Sequence, residues 1–455
     1  MKLCHSLKAT SIRFDDPNLV GTVGLVPVME LARRAGLASL AEEWLRVPTD
    51  KGAHPGVKVS SVVAGMVAGA DSIDDMGILR HGGMGRLFQG VCAPSTVGSF
   101  LRAFTFGHVR QLDAVASRLL RNLVDLAPGV VPESPWVFLD VDDTVIPVYS
   151  PAKQGARVGY THVLGLDAVL VTLSGPGTAP VIVAQRLRHG AANSQRGAKR
   201  LLQDAFATTK RILTPGTRVL LRADSGFTGG GVVHTALSHG VDVSVTLRLT
   251  GPVWTAISTI GPDDWTPITD THPFTDPGTG ELITHVEVAE TTYTMFSTKG
   301  TTTLPVTGRL IVRRFPDTRH GPDAFFPAWR YHAFFTTVPP DTMDLVTADQ
   351  THRRHAIIEQ VHADLKHSAL AHLPSHKFAA NSAWLVLAVI TYNLTRATAT
   401  LAGLANATST TIRTTLITIP ARLATSGHHL TLHLPRAWPW HTHWNQLYTT
   451  LAPPG

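Results

Sequence analysis

Apolar residues recur at helical spacing through the first 130 residues. Val28, Leu31, Ala32 and Ala35, followed by Leu40, Ala41 and Leu45, predict an amphipathic helix over residues 20–47. A second helix is expected over 57–69. Pro94-Ser95-Thr96 reads as a cap leading into a helix at Val97–Phe106, and 108–126 forms a fourth. Pro132 and Pro135 then mark a boundary.

Beyond it the pattern becomes strand-like. The apolar run Trp136-Val137-Phe138-Leu139 leads into Asp140-Val141-Asp142-Asp143-Thr144, a buried strand whose C-terminal end carries carboxylates. Ala168–Leu173 and Val181–Leu187 predict two more strands, and Ser194–Arg211 a helix. Arg218–Arg222 is a further strand that ends at Ala223-Asp224-Ser225-Gly226-Phe227. A helix around Gly231–His239 and a strand at Val241–Thr246 complete the order three strands, helix, strand, helix, strand. The fold class is therefore α/β.

Residues 250–345 are rich in Thr, Pro and Gly, with short alternating runs at Leu310–Phe315 and Tyr331–Val338, and predict a β-rich insertion. Helix returns at about 349–371 and 379–402. The tail carries a strand-like Leu430-Thr431-Leu432 and ends with Trp438, Trp440 and Trp444. No internal repeat is evident. The expected segments are 1–130, 131–249, 250–345, 346–403 and 404–455.

Composition narrows the class. A 455-residue chain with 44% hydrophobic and 16% charged residues is a globular protein, not a disordered polyelectrolyte. Two cysteines, Cys4 and Cys92, exclude a disulfide framework or a cysteine-built zinc site. No uninterrupted apolar run reaches the roughly 18 residues of a membrane span, and the N-terminus lacks a signal-peptide pattern. An intracellular protein is expected.

The net charge of +7 is unevenly placed. Residues 351–455 hold 8 Lys/Arg against only Glu359 and Asp364, and no acid follows Asp364. The 30 Arg and 10 Lys suit a phosphate-binding surface, although codon bias also raises Arg.

Three acids stand out on this framework. Asp142 ends the first core strand, Asp224 ends a later one, and Glu359 lies on the helix that follows the insertion. Carboxylates from neighbouring strand ends and a packed helix can converge, and hard divalent cations take such oxygen ligands. Two ions can activate an attacking oxygen and stabilise a leaving oxygen in phosphodiester chemistry. Each acid also has a purely structural reading: a strand-end Asp caps the next turn, and Glu359 pairs with a cation such as Arg354.

The ordered set of motifs resembles bacterial insertion-sequence transposases of the DDE class. The similarity is to the thirteen-eighty insertion-sequence family, related to the insertion-sequence-four group. It is carried by Leu139-Asp140-Val141-Asp142-Asp143-Thr144, Lys153-Gln154-Gly155, Gly159-Tyr160, Leu187-Arg188-His189-Gly190 and Arg222-Ala223-Asp224-Ser225-Gly226-Phe227. The Glu359 helix, Asn381 and Tyr392-Asn393-Leu394-Thr395-Arg396 continue it, and Asp74-Asp75, Leu79-Arg80 and Pro94-Ser95-Thr96 fit as well. The resemblance implies an RNase H-like catalytic core interrupted by the insertion, with a helical N-terminal domain and a helical, basic C-terminal region. It implies Asp142, Asp224 and Glu359 as catalytic, metal-binding acids holding two Mg²⁺ (or Mn²⁺) ions. It further implies DNA partners (terminal inverted repeats and a target) and a homodimer in the synaptic complex. Asp142 is chosen over Asp140 and Asp143 because the family's acid precedes a small polar residue and a Thr. The related group carries Tyr, Arg, Glu and Lys on the last helix. Lys366 matches, seven residues after Glu359, whereas His352 and His355 occupy the Tyr and Arg positions. Arg353 or Arg354 would then substitute as phosphate grips. Lys366, Arg353, Arg354, Arg222, Lys377 and Arg396 are the expected DNA contacts.

Other readings compete. Asp140-Val141-Asp142-Asp143-Thr144 also matches the loop of haloacid-dehalogenase-type phosphatases, with Asp140 as nucleophile. A catalytically inactive, transposase-derived DNA-binding protein is another. Gly229-Gly230-Gly231 lacks the Lys-Ser/Thr of a phosphate loop and reads as a turn. His352, His355 and His362 lack the zincin arrangement and read as surface or DNA-facing residues. Trp438-Pro439-Trp440 reads as a packing cluster.

Overall fold

The computed structural model describes all residues except 2, 276–279, 281, 298–302, 318–328 and 453–455, so parts of the expected insertion lie outside the described residues. The chain is mixed α/β. Its main sheet is built from β1 (Trp136–Pro147), β2 (Leu164–Gly175), β3 (Thr178–His189), β4 (Arg218–Ala223) and β5 (Asp242–Leu247), joined by β6 (Thr266–Thr275), β7 (Leu282–Met295), β8 (Val306–Pro316) and β9 (Trp329–Thr336). The order is β3-β2-β1-β4-β5-β9-β8-β7-β6. The first three strands are antiparallel, whereas β4 runs parallel to β1 and β5 parallel to β4. β9 adds antiparallel to β5, pairing Phe335 with Val245, so the strands of the insertion prolong the core sheet.

The N-terminal 130 residues are helical, as the periodicity predicts. The helix expected over 20–47 is broken in two, α1 (Leu25–Arg34) and α2 (Leu37–Trp44), because Gly36 takes φ 81°, a left-handed turn that glycine allows without strain. α3 (Pro55–Ala68), α4 (Pro94–Arg102) and α5 (Phe106–Leu126) follow. The sheet is flanked by α6 (Ala198–Ile212) and α7 (Gly230–Ser238) on the connections between β3, β4 and β5.

The helix expected over 349–371 is also interrupted. α8 (Leu345–Arg353), capped by Asp344 accepting from the Thr347 N–H at 2.9 Å, gives way to a tight turn at Arg354–Ala356 before α9 (Ile357–Lys366). α10 (Phe378–Leu401) is apolar nearly all round, and such a helix belongs in a core. It packs on α3, α4, α5 and β3 and joins the N-terminal helices to the sheet. Among the described residues it is the one helix long and apolar enough to cross a membrane, and most of it is buried within the protein. Asn393 holds it to the edge strand, accepting from the Ile182 N–H and donating to the Ile182 carbonyl at 2.9 and 2.8 Å. In the tail, Ala421–Ser426 pairs with His429–His433 and with Leu19–Val20 in a small separate sheet.

Candidate active site

Alternation along β1 sends Asp140 and Asp142 to one face of the sheet and Asp143 to the other. Their surroundings differ sharply. Asp140 is fully buried and lies beside Arg222, its register partner on β4. The Arg222 guanidinium donates to both Asp140 oxygens at 2.7 Å, and His355 Nδ1 lies 3.0 Å from Oδ1. Burial alone would raise the Asp140 pKa; Arg222 and His355 outweigh it and hold the carboxyl below its ordinary range. On the opposite face Asp143 accepts from Arg188 at 2.6 Å. Arg188 also binds Asp167 and donates to the carbonyls of Asn193, Ser194 and Arg196. Two of the three acids are thus neutralised by arginines.

Asp142 is the exception. It stands one residue past Val141, and Asp224 one residue past Ala223; Val141 and Ala223 are the last paired positions of the parallel strands β1 and β4. The two acids therefore emerge side by side at the same level. Asp142 accepts from the Asp143 N–H at 2.8 Å, and Asp224 from the Gly226 N–H at 2.9 Å. Neither forms an ion pair with an Arg or Lys among the described residues. Gly226 is needed in the turn after Asp224, because a Cβ there would meet Ser194 Oγ at 2.7 Å and Asp224 Oδ1 at 3.0 Å. Burial pushes the Asp142 carboxyl up to about 7, and the charges of Asp224 and Asp143 add to this against the Asp143 N–H and His355. Asp224 is also raised, mainly by burial and then by Asp143. Two crowded carboxyls repel each other when ionised, and nearby positive charge would favour their ionised forms.

The helical segment opposite supplies the rest. Within α9 residues 359, 362 and 366 follow one another at helical spacing, and His355 precedes them in the tight turn. His355 reaches Asp140, His362 Nε2 lies 3.6 Å from Asp142 Oδ2, and Lys366 feels the charge of Asp142. Glu359 lies on this stripe, in the first turn of α9 and exposed. Among the described residues no three His, Cys, Asp or Glu side chains are gathered closely enough to hold a metal ion. The structure thus brings Asp142 and Asp224 together and leaves Glu359 outside their immediate contact.

A family model described as Transposase DDE domain group 1 matches residues 4–454. The chain belongs to this family. No curated protein matches the chain.

The transposase geometry corrects several expectations. Asp140 is sealed in the protein with both oxygens engaged, so it is not available as the nucleophile of a phosphatase. The three histidines are not surface residues. His352 is enclosed, with Nδ1 2.8 Å from Ser244 Oγ and Nε2 3.0 Å from Thr246 Oγ1, and it stacks on Phe334 at 4.1 Å. Burial lowers its pKa to about 3, so it is neutral. His362 is 6% exposed and its Nε2 has no hydrogen-bond partner; burial first and Lys366 second lower it to about 4. Their spacing of three and seven residues was the sequence signal for one common inward face.

The basic residues separate as well. Arg222 is 1% exposed and committed to Asp140 and the Thr351 carbonyl, and Arg396 is 3% exposed within α10; neither reaches a solvent-borne phosphate. Arg353 and Arg354 are exposed at the α8–α9 turn. Lys366 is half-buried, and burial lowers its pKa against the attraction of the Asp142 charge. Lys377 is exposed, with Nζ donating to the Arg102 carbonyl at 3.1 Å. Beside Asp224 opens a cleft of about 780 Å³. It is lined by Tyr160, Gln195, Asp224, Arg248, Tyr293 and Phe296 among others, an aromatic and polar wall next to the acids.

Proposed function

We propose that the chain is a metal-dependent DNA transposase that cleaves at the ends of its element and joins them to target DNA. The observation that carries this reading is the contrast on β1: Asp140 and Asp143 are neutralised by Arg222 and Arg188, whereas Asp142 beside Asp224 forms no ion pair with an Arg or Lys among the described residues. The sheet order β3-β2-β1-β4-β5, antiparallel and then parallel, supports an RNase H-like core. The acids fit a divalent cation, since positive charge would relieve the repulsion that raises Asp142. Asp142 and Asp224 would hold it, with Glu359 brought in from the α9 stripe as the third acid. Bound there, such ions supply Lewis-acid activation of an attacking oxygen and charge neutralisation at the phosphate.

The chain's own residues do the positioning. Arg188 fixes β3 and the 193–196 loop against β1, and Gln195 donates to the Gly226 carbonyl, which sets the turn carrying Asp224. Lys366 stands where it can grip a DNA phosphate next to Asp142. Arg353 and Arg354 present charge along the same approach. Joining two ends needs two active sites, which supports a dimer in the assembled complex, and the DNA substrate places the protein at the nucleoid.

The reading is tested by incubating the protein with duplexes of the element's ends and a target plasmid in Mg²⁺. Joined products are expected from wild type and none from Asp224→Asn. Joining by the variant at the wild-type rate contradicts the assignment.

A further inference from the structure

Away from the acids, a cavity of about 170 Å³ opens where α5 and α6 meet β3. Arg110, Arg118 and Arg211 line it, together with Asp113, Asp204 and Ser117. Its two acids are already satisfied. Arg110 pairs with Asp113 at 2.7 Å and with Asp204 at 2.8 Å, and Arg186 reaches Asp204 at 3.0 Å. Arg118 and Arg211 differ: neither forms an ion pair with an acid among the described residues. Both are nonetheless held in place. The Arg118 guanidinium lies over the Trp44 ring, 3.5 Å from its centroid, and donates to the Ala114 carbonyl at 3.2 Å. Arg211 Nη1 donates to Ser117 Oγ at 2.8 Å. A guanidinium carries more N–H donors than these bonds use. Ser117 Oγ also accepts from Thr208 Oγ1 at 3.1 Å, so its own O–H is available as a donor. Two like charges facing one cavity repel each other. Burial first and Arg211 second lower the Arg118 pKa, against the more distant charge of Glu43.

We propose that Arg118, Arg211 and Ser117 form a binding site for one phosphate group, held between α5 of the N-terminal helices and α6 of the core. The phosphate oxygens accept from both guanidiniums and from the Ser117 hydroxyl. Arginine suits this task, because its planar fork matches a pair of phosphate oxygens. Stacking on Trp44 and the bond to Ser117 fix the donors beforehand, so less freedom is lost on binding. The site is separate from the acids. Arg211 stands near the far end of α6, about 20 Å along the axis from Ala198. The loop just before Ala198 carries Gln195, which donates to the Gly226 carbonyl in the turn after Asp224. Free phosphate and a backbone phosphate of DNA offer the same chemistry. The inference stands independently of the reaction at Asp142 and Asp224.

The test titrates the full chain with inorganic phosphate in EDTA at constant ionic strength, followed by calorimetry and by the rise in melting temperature. Wild type is expected to bind phosphate saturably. The double variant Arg118→Gln, Arg211→Gln should bind it roughly 10-fold or more weakly. Arg211→Gln alone, at an exposed position, should lose at least about three-fold, and it decides the matter if the double variant does not fold. Arg211→Lys keeps a point charge and should bind between Arg211→Gln and wild type. Absence of saturable binding to wild type overturns the inference, as does an unchanged phosphate affinity in the folded variants. A second arm measures a labelled duplex with the same proteins. Duplex affinity that falls together with phosphate affinity identifies a backbone phosphate as the ligand. Unchanged duplex affinity beside lost phosphate binding identifies the free ion.

Discussion

Asp142 and Asp224 lie side by side, each one residue past the last paired position of adjacent parallel strands, and no Arg or Lys is paired with either among the described residues. Asp140 and Asp143, by contrast, each accept from an arginine, Arg222 and Arg188. An uncompensated acid pair of this kind costs stability, a trade common at functional sites.

That cost is measurable. Burial raises Asp142 from its ordinary value to about 7 in the fold, so its ionised form opposes folding. Stability is lost as pH rises from about 4 through 7. Asp142→Asn should therefore stabilise the metal-free protein at pH 8 by about 1–3 kcal/mol, after allowance for solvent screening. The gain should vanish below pH 4 and shrink in saturating Mg²⁺. Urea unfolding in EDTA and in Mg²⁺ checks it, and a variant less stable than wild type in EDTA at pH 8 contradicts the raised Asp142 carboxyl.

His352 gives the opposite pH dependence. Burial lowers its pKa to about 3, so the unfolded chain binds a proton that the fold refuses. Its contribution is complete above pH 6.5 and is lost as pH falls toward 3. The stability difference between wild type and His352→Gln should narrow steadily over that window. A difference that stays constant with pH removes the buried neutral histidine from the account.

Arg222 and the exposed cations separate folding from DNA binding. Arg222→Ala strands the buried Asp140 charge and should cost about 3–5 kcal/mol. By contrast, Lys366→Ala and Lys377→Ala should leave unfolding nearly unchanged. Each should lower the slope of log affinity against log salt by roughly one. Binding isotherms across a salt series, beside thermal melts, test both halves; an unchanged slope in the double lysine variant removes these residues from the DNA surface.

Much of this was legible in the chain. The run of three strands, helix, strand, helix, strand was written in the apolar pattern, and Asp224 fell at a strand end; Asp142, expected at one as well, lies within β1, which stays paired with β2 as far as Pro147. The choice among Asp140, Asp142 and Asp143 was not available from local pattern, because it depends on Arg222 and Arg188, which pairing brings in from 82 and 45 residues away. The break at 354–356 and the inward face of His352, His355 and His362 were also missed. The i, i+3, i+10 recurrence was present, but histidine is equally at home outside. Arg396 was misread as part of a basic surface although it sits in an apolar helix, where periodicity alone argues for burial. That β9 would join β5 lay beyond local pattern, since strand pairing at that separation is fixed by the assembled sheet.

The most direct test of the central claim is single-strand cleavage of an end duplex by Asp142→Ala in Mg²⁺, with DNA binding measured in parallel. The account predicts binding close to wild type and cleavage abolished. Cutting by this variant at the wild-type rate contradicts it.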